Sequence, residues 1–121
     1  MSPTIAAVLV SLVALVQIAI ATVEMFLWNV PRVHSRLSFT DAEAKKVAPI
    51  VANAGLYNSF LAAGLIWGLL AGSGGPPIEV FFLACVAVAG VFGAVTLKPT
   101  TLVLQTLPAV LALVAVWLAR S

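Results

Sequence analysis

Four long apolar runs, at about residues 4–28, 47–71, 80–97 and 101–119, are separated by short polar or turn-forming stretches. A bilayer core about 30 Å thick is crossed by about 20 apolar residues in helical form, at 1.5 Å rise each. Each run is therefore read as a transmembrane helix. The breaks Asn29-Val30-Pro31, Ser73-Gly74-Gly75-Pro76-Pro77 and Lys98-Pro99-Thr100 carry turn chemistry. Within the polar loop 29–46, Thr40-Asp41-Ala42-Glu43 has the T-x-x-E spacing of a capping box. The second helix is thus expected to begin near Asp41, ahead of its apolar run, with Pro49 bending it at the membrane surface. The predicted helices are about 4–28, 41–72, 79–97 and 100–119, an all-α four-helix bundle in a single transmembrane domain over 1–121. The first run exceeds the 7–15 residues of a signal-peptide core and no basic residue precedes it, so it reads as a span.

Composition excludes the soluble alternatives. Of 121 residues, 63% are hydrophobic and 8% charged, with mean hydropathy +1.18. A soluble domain of this size could not hide so much apolar surface. A cytosolic globular enzyme, a nucleic-acid-binding domain and a disordered tail are ruled out; the bilayer is the partner that the composition implies. Arg32, Arg36, Lys45 and Lys46 lie between spans one and two and Lys98 between three and four, against Arg120 on the other side. The positive-inside rule then places those loops in the cytoplasm and both termini outside. A bacterial inner membrane is the expected location. Trp28 falls at the expected inner interface, and Trp67 and Trp117 near the outer one. The single cysteine, Cys85, has no partner for an internal disulfide and lies in an apolar run.

Polar side chains inside lipid are costly, which makes their positions informative. Gln17, Ala21, Glu24 and Trp28 share one face of the first helix. Glu24 lies roughly 6 Å inward of Trp28. On the second helix Asn53 and Tyr57 are one turn apart, with Asn58 about 100° further round; the fourth opens with Thr101 and Gln105 before Pro108. These groups concentrate in the cytoplasmic half, which suits a blind pocket open to the cytoplasm better than a through-channel. Glu24, Asn53, Tyr57, Asn58 and Gln105 are the candidate ligand-binding residues. The competing reading is a snorkelling Glu24 and amides that serve as interhelical glue. Arg32, His34 and Arg36 alternate just past Trp28; they are positive-inside markers or, for Arg32 and Arg36, contacts for an anionic group or lipid headgroup. No metal-ligand cluster, paired intramembrane carboxylates or phosphate-cradling loop is present in the sequence, so no catalytic residue is assigned and no cofactor identified. The stripes Gly64-x-x-x-Gly68-x-x-x-Gly72, Ala89-x-x-x-Gly93 and Gly90-x-x-x-Ala94 allow close helix approach, within one chain or between copies.

Glu24-Met25-Phe26-Leu27-Trp28 followed by Pro31-Arg32, the run from Asn53 to Leu65, Ala89–Ala94 and Gln105–Ala109 together resemble domain-of-unknown-function family 1304 over almost the whole chain. That family brings no settled activity. A weaker resemblance is to the MAPEG superfamily of membrane-associated eicosanoid and glutathione enzymes. It rests on Leu97-Lys98-Pro99, Leu107-Pro108, Trp117 and the Phe39-Thr40-Asp41-Ala42 loop. That resemblance implies a MAPEG-like four-helix arrangement, a homo-oligomer (a trimer) and a glutathione site in the cytoplasmic half. The sequence departs from the MAPEG pattern at Asn53, which lacks the arginine and glutamate of the R-x-x-N-x-x-E signature. The expected function is binding of a small or amphipathic molecule in a cytoplasm-facing pocket, as a MAPEG-like enzyme with Tyr57 as hydrogen-bond donor and Glu24 as proton acceptor. The alternatives are a small transporter or channel subunit using Glu24 as a proton or cation site, and an accessory subunit of a larger complex.

Overall fold

The computed structural model describes residues 2–97 and 99–120, the side chain of Arg120 excepted. Lys98 and the Arg120 side chain, both used above to orient the chain, lie outside the described residues. Among the described residues five α-helices follow one another: α1 (Pro3–Thr22), α2 (Pro31–Arg36), α3 (Asp41–Leu70), α4 (Gly75–Thr96) and α5 (Leu107–Arg120). Two π-helical stretches, Val23–Leu27 and Leu102–Thr106, extend α1 and precede α5. Four segments are long and apolar enough to cross a membrane: Pro3–Leu27, Asp41–Leu70, Gly72–Thr96 and Leu102–Ala119. The protein is an integral membrane protein.

The helix ends follow from local chemistry. Ser2 Oγ accepts the backbone N–H of Thr4 at 3.0 Å, capping α1 ahead of Pro3 in its first turn. The capping box forms as the spacing requires: the Glu43 N–H donates to Thr40 Oγ1 at 3.1 Å and the Thr40 N–H to Glu43 Oε1 at 2.9 Å. Helix α3 therefore starts at Asp41 and runs on through Pro49. Between α3 and α4 the chain turns at Gly72, whose φ of +65° is the left-handed conformation that a side chain would strain. The second π-helical stretch stands directly ahead of Pro108, whose ring and missing N–H do not fit a regular helical ladder.

The chain divides into two units, residues 1–16 with 61–121, and residues 17–60. In the first, all four spans contribute to one core. Val10 of α1, Leu65 of α3, Leu83 and Val86 of α4, and Ala109, Ala112 and Ala115 of α5 are fully buried. Gly64, Gly68, Gly90 and Gly93 of the small-residue stripes pack against neighbours within the chain, whereas Gly72 meets open space. A Cβ on Gly68 would stand 2.6 Å from Glu79 Cγ, one on Gly64 would overlap the Phe82 ring, and one on Gly90 would overlap Thr106 Oγ1. At that last approach two hydroxyls tie the helices together: Thr101 Oγ1 donates to the Gly90 carbonyl at 2.7 Å and Thr106 Oγ1 to the Ala87 carbonyl at 2.9 Å. The close contact is what brings these hydroxyls within reach.

In the second unit, the end of α1, its π-helical extension, α2 and the first two-thirds of α3 pack together. Gly55 of α3 sits against the first span: a Cβ there would stand 2.7 Å from Met25 Cγ, 2.9 Å from Glu24 Cβ and 3.1 Å from the Ala21 carbonyl oxygen. The 29–46 loop is largely structured. Helix α2 closes with a Schellman pattern in which the Phe39 N–H donates to the His34 carbonyl at 3.1 Å and the Ser38 N–H to the Ser35 carbonyl at 3.0 Å. Ser38 takes the left-handed position, with φ +68°.

Candidate functional site

Within the second unit, α1 and α3 bring three polar side chains into one chain of hydrogen bonds. Gln17 Nε2 donates to Asn58 Oδ1 at 3.3 Å, and Asn58 Nδ2 donates to Glu24 Oε1 at 2.6 Å. Gln17 is fully buried, while Asn58 and Glu24 are half-buried. The Gln17–Ala21–Glu24–Trp28 face is the one that α1 buries: Ala21 and Trp28 are buried too. Gly55 makes the approach possible, since it lies against Ala21 and Glu24 three residues before Asn58. Glu24 stands on the π-helical turn, a local widening often found where a helix carries a functional group. Gln17 Oε1 is buried and has no hydrogen-bond partner. A buried, unsatisfied amide oxygen costs about 1–3 kcal/mol, so it is an acceptor awaiting a donor.

Of the five residues singled out from sequence, the structure joins Glu24 and Asn58. Asn53 and Tyr57 point outward from α3; Tyr57 is 60% exposed and packs edge-on against Phe60 at 5.8 Å. Gln105 belongs to the first unit, where it too lies on a π-helical stretch and has a buried Oε1 without a partner. Gln17 completes the chain although only its helical face had marked it. Glu79, a charged residue at the edge of the third apolar run, is buried against Gly68. Nothing in the local sequence distinguishes a buried glutamate near the start of α4 from an exposed one; the packing against Gly68 of α3 decides it.

A second cluster closes the loop. The Trp28 indole N–H donates to the Ala44 carbonyl at 2.9 Å, and its ring meets Phe39 edge-on at 5.2 Å. Trp28 is therefore a buried clasp rather than a member of an exposed aromatic belt, because its one donor is spent on α3. His34 is buried as well, with Nδ1 2.8 Å from the Trp28 carbonyl oxygen and Nε2 2.6 Å from Asp41 Oδ1. Both ring nitrogens face acceptors, which favours the doubly protonated imidazolium. The Asp41 hydrogen bond, then the Trp28 carbonyl, raise the His34 pKa above its ordinary 6.5 despite the opposing effect of burial. His34 is thus turned inward, while Arg32 and Arg36 remain on the exposed surface of α2.

An apolar groove of about 470 Å³ lies along α4 and α5, lined by Ala87, Val91, Phe92, Val95, Thr106 and Val110 among others. Its one hydroxyl, Thr106, is already bonded to Ala87, so the groove offers contact for hydrocarbon and little else. The hydrogen-bonded chain of Gln17, Asn58 and Glu24 is in the other unit.

These features define a small polytopic membrane protein with a polar side-chain chain between two of its spanning helices. Residues 11–117 match the family described as a protein of unknown function, DUF1304, and the chain belongs to that family. No curated protein and no solved structure gives a significant match.

Proposed function

We propose that the protein binds a small or amphipathic molecule at the Gln17–Asn58–Glu24 chain, in the half of the membrane that the cation count directs to the cytoplasm. The unpartnered, buried Gln17 Oε1 carries this reading. Polar groups in lipid usually find partners, and those that do not mark pathways or binding sites. Asn53 and Tyr57 remain candidate contacts under this proposal, and Gln105, in the first unit, a separate candidate; a homo-oligomer, trimeric on the MAPEG analogy, would give the exposed Tyr57 and Asn53 a neighbour. Arg32 and Arg36 would then meet lipid headgroups. A MAPEG-like enzyme acting at this site is the catalytic form of the same reading.

The test is thermal stabilisation of the purified protein in detergent by a panel of amphipathic amines, alcohols, acids and thiols, glutathione included. Stabilisation by at least one class, lost in Gln17→Leu and Asn58→Leu, is the expected result. Stabilisation that never depends on these residues overturns the site.

A second reading follows from the ionisable side chain on the π-helical turn: Glu24 as the proton or cation site of a small transporter. Proteoliposomes in which a cation or proton flux depends on Glu24 would favour it. Flux that is identical in wild type and Glu24→Gln leaves binding as the better account. A third role, as an accessory subunit, predicts co-purification with a larger membrane complex.

A further inference from the structure

Resting on the binding site proposed above, we infer that its ligand is a hydrogen-bond-donating cation, namely a protonated amine on an apolar tail. The direction of the hydrogen bonds carries this. With Glu24 ionised, its carboxylate accepts and cannot donate, so the Asn58 edge that meets Oε1 at 2.6 Å is its nitrogen. That choice turns Asn58 Oδ1 toward Gln17, which must answer with its own nitrogen, 3.3 Å away. What remains of Gln17 is the carbonyl oxygen, buried and unpartnered. The orientation of both amides therefore propagates from one carboxylate, independently of how amide nitrogens and oxygens are told apart. Each amide nitrogen gives one N–H to the chain, and both of its ends, Gln17 Oε1 and the carboxylate of Glu24, offer lone pairs.

Charge points the same way. The Lys and Arg residues are at 32, 36, 45, 46, 98 and 120, leaving none in 1–31 or 47–97. Among the described residues, the polar group that meets Glu24 is the neutral amide of Asn58. A carboxylate at this depth is stabilised by a cation. An anionic ligand would set its oxygens against lone pairs and a negative charge, so a phosphate, a fatty acid or glutathione with its net negative charge is disfavoured. An alcohol supplies one donor and no charge; a primary ammonium supplies three donors and the charge. The surfaces of the same helices are apolar, with Phe26, Leu56 and Phe60 all exposed, which suits a ligand that keeps a hydrocarbon tail in the lipid.

The experiment uses the full chain in detergent micelles and four eight-carbon probes: octylamine, octyltrimethylammonium, octanol and octanoate. Concentration-dependent shifts in Tm report binding. Octylamine is expected to bind about tenfold or more tightly than octanol, which lacks the charge, and than octyltrimethylammonium, which lacks the N–H donors. Octanoate is expected to give no shift. Glu24→Gln should abolish the preference for amine over alcohol. Gln17→Leu should weaken octylamine severalfold while keeping the carboxylate, and it serves as the variant to read if Glu24→Gln does not fold by circular dichroism and gel filtration. Equal or better binding of octanol, octanoate or octyltrimethylammonium that still depends on Gln17 overturns the cation inference and leaves the binding site standing. An amine preference that survives both substitutions also overturns the inference. If no probe binds in a way that depends on Gln17, Asn58 or Glu24, the site itself is overturned.

Discussion

Asn58 donates its side-chain N–H to Glu24 across 2.6 Å, although 34 positions of sequence separate them. The bond joins α3 to the π-helical end of the first span, and its other side holds Gln17. Asn58 is therefore the hinge of the polar chain. Removing it strands two partners, whereas removing Gln17 strands one and relieves an orphaned oxygen.

That asymmetry predicts different outcomes for two similar substitutions. Asn58→Leu should destabilise the protein by about 1–2 kcal/mol, the upper range for interhelical polar contacts in membranes. Gln17→Leu should be neutral or stabilising, because it replaces a buried unsatisfied acceptor with hydrocarbon. Reversible unfolding in mixed micelles measures both. A Gln17→Leu that costs as much as Asn58→Leu would show that Gln17 Oε1 has a partner in the membrane.

Close helix approach makes Gly55→Ala costly. The new methyl would meet Met25 Cγ at 2.7 Å and Glu24 Cβ at 2.9 Å. Overpacking of this kind costs about 1–3 kcal/mol, and it would also push Glu24 away from Asn58. The expected result is a lowered Tm together with loss of whatever ligand response the wild type shows. An unchanged Tm would mean that the two helices part easily here.

The two threonines that tie α4 to the last span are a separate test. Thr101→Val and Thr106→Val each remove a hydroxyl bonded to a carbonyl of α4, at 2.7 and 2.9 Å, with little change in volume. Each should cost about 0.6–2 kcal/mol, without altering ligand response. Coupling to ligand binding would contradict the assignment of the site to residues 17–60.

His34 gives the loop a pH dependence. Its pKa is raised by Asp41 first and by the Trp28 carbonyl second. The contribution of the cluster is fully present below the ordinary histidine value of 6.5 and is lost as pH rises through the higher folded value. Nuclear magnetic resonance titration of the His34 ring should show a midpoint above 6.5 that falls in Asp41→Asn. Trp28 fluorescence should change over the same interval, since the imidazolium donates to the Trp28 carbonyl oxygen. A His34 midpoint indifferent to Asp41→Asn would remove the ion pair from this account.

Much of the architecture was legible because lipid imposes it. Lengths and spacings of the apolar runs placed four spans, and Thr40-x-x-Glu43 placed the start of α3 at Asp41, where the structure has it. A capping box is read within four residues, so no distant contact has to be known. The face shared by Gln17, Ala21, Glu24 and Trp28 was equally local, and Gln17, Ala21 and Trp28 are buried. What that face would meet was not local. Sequence proposed Asn53, Tyr57 and Asn58 together near Glu24, and the rotation of α3 about its axis turns Asn58 toward Glu24 and leaves the other two exposed. Helix α2, the Trp28–His34–Asp41 cluster and both π-helical turns were equally out of reach, because each depends on which side chains meet across a gap.

The sequence by itself determined that this is a membrane protein with four spanning helices, since hydropathy and helical rise are properties of each segment alone. Only the tertiary structure decided that Gly64, Gly68, Gly90 and Gly93 pack within the chain, that His34 turns inward, and that one amide of α3 links a glutamine to a glutamate of the first span. The physical reason is that helix rotation and approach are set by the sum of many small contacts. Gly55 admits the first span, and its neighbours then fix which polar atoms come within 3.3 Å of one another.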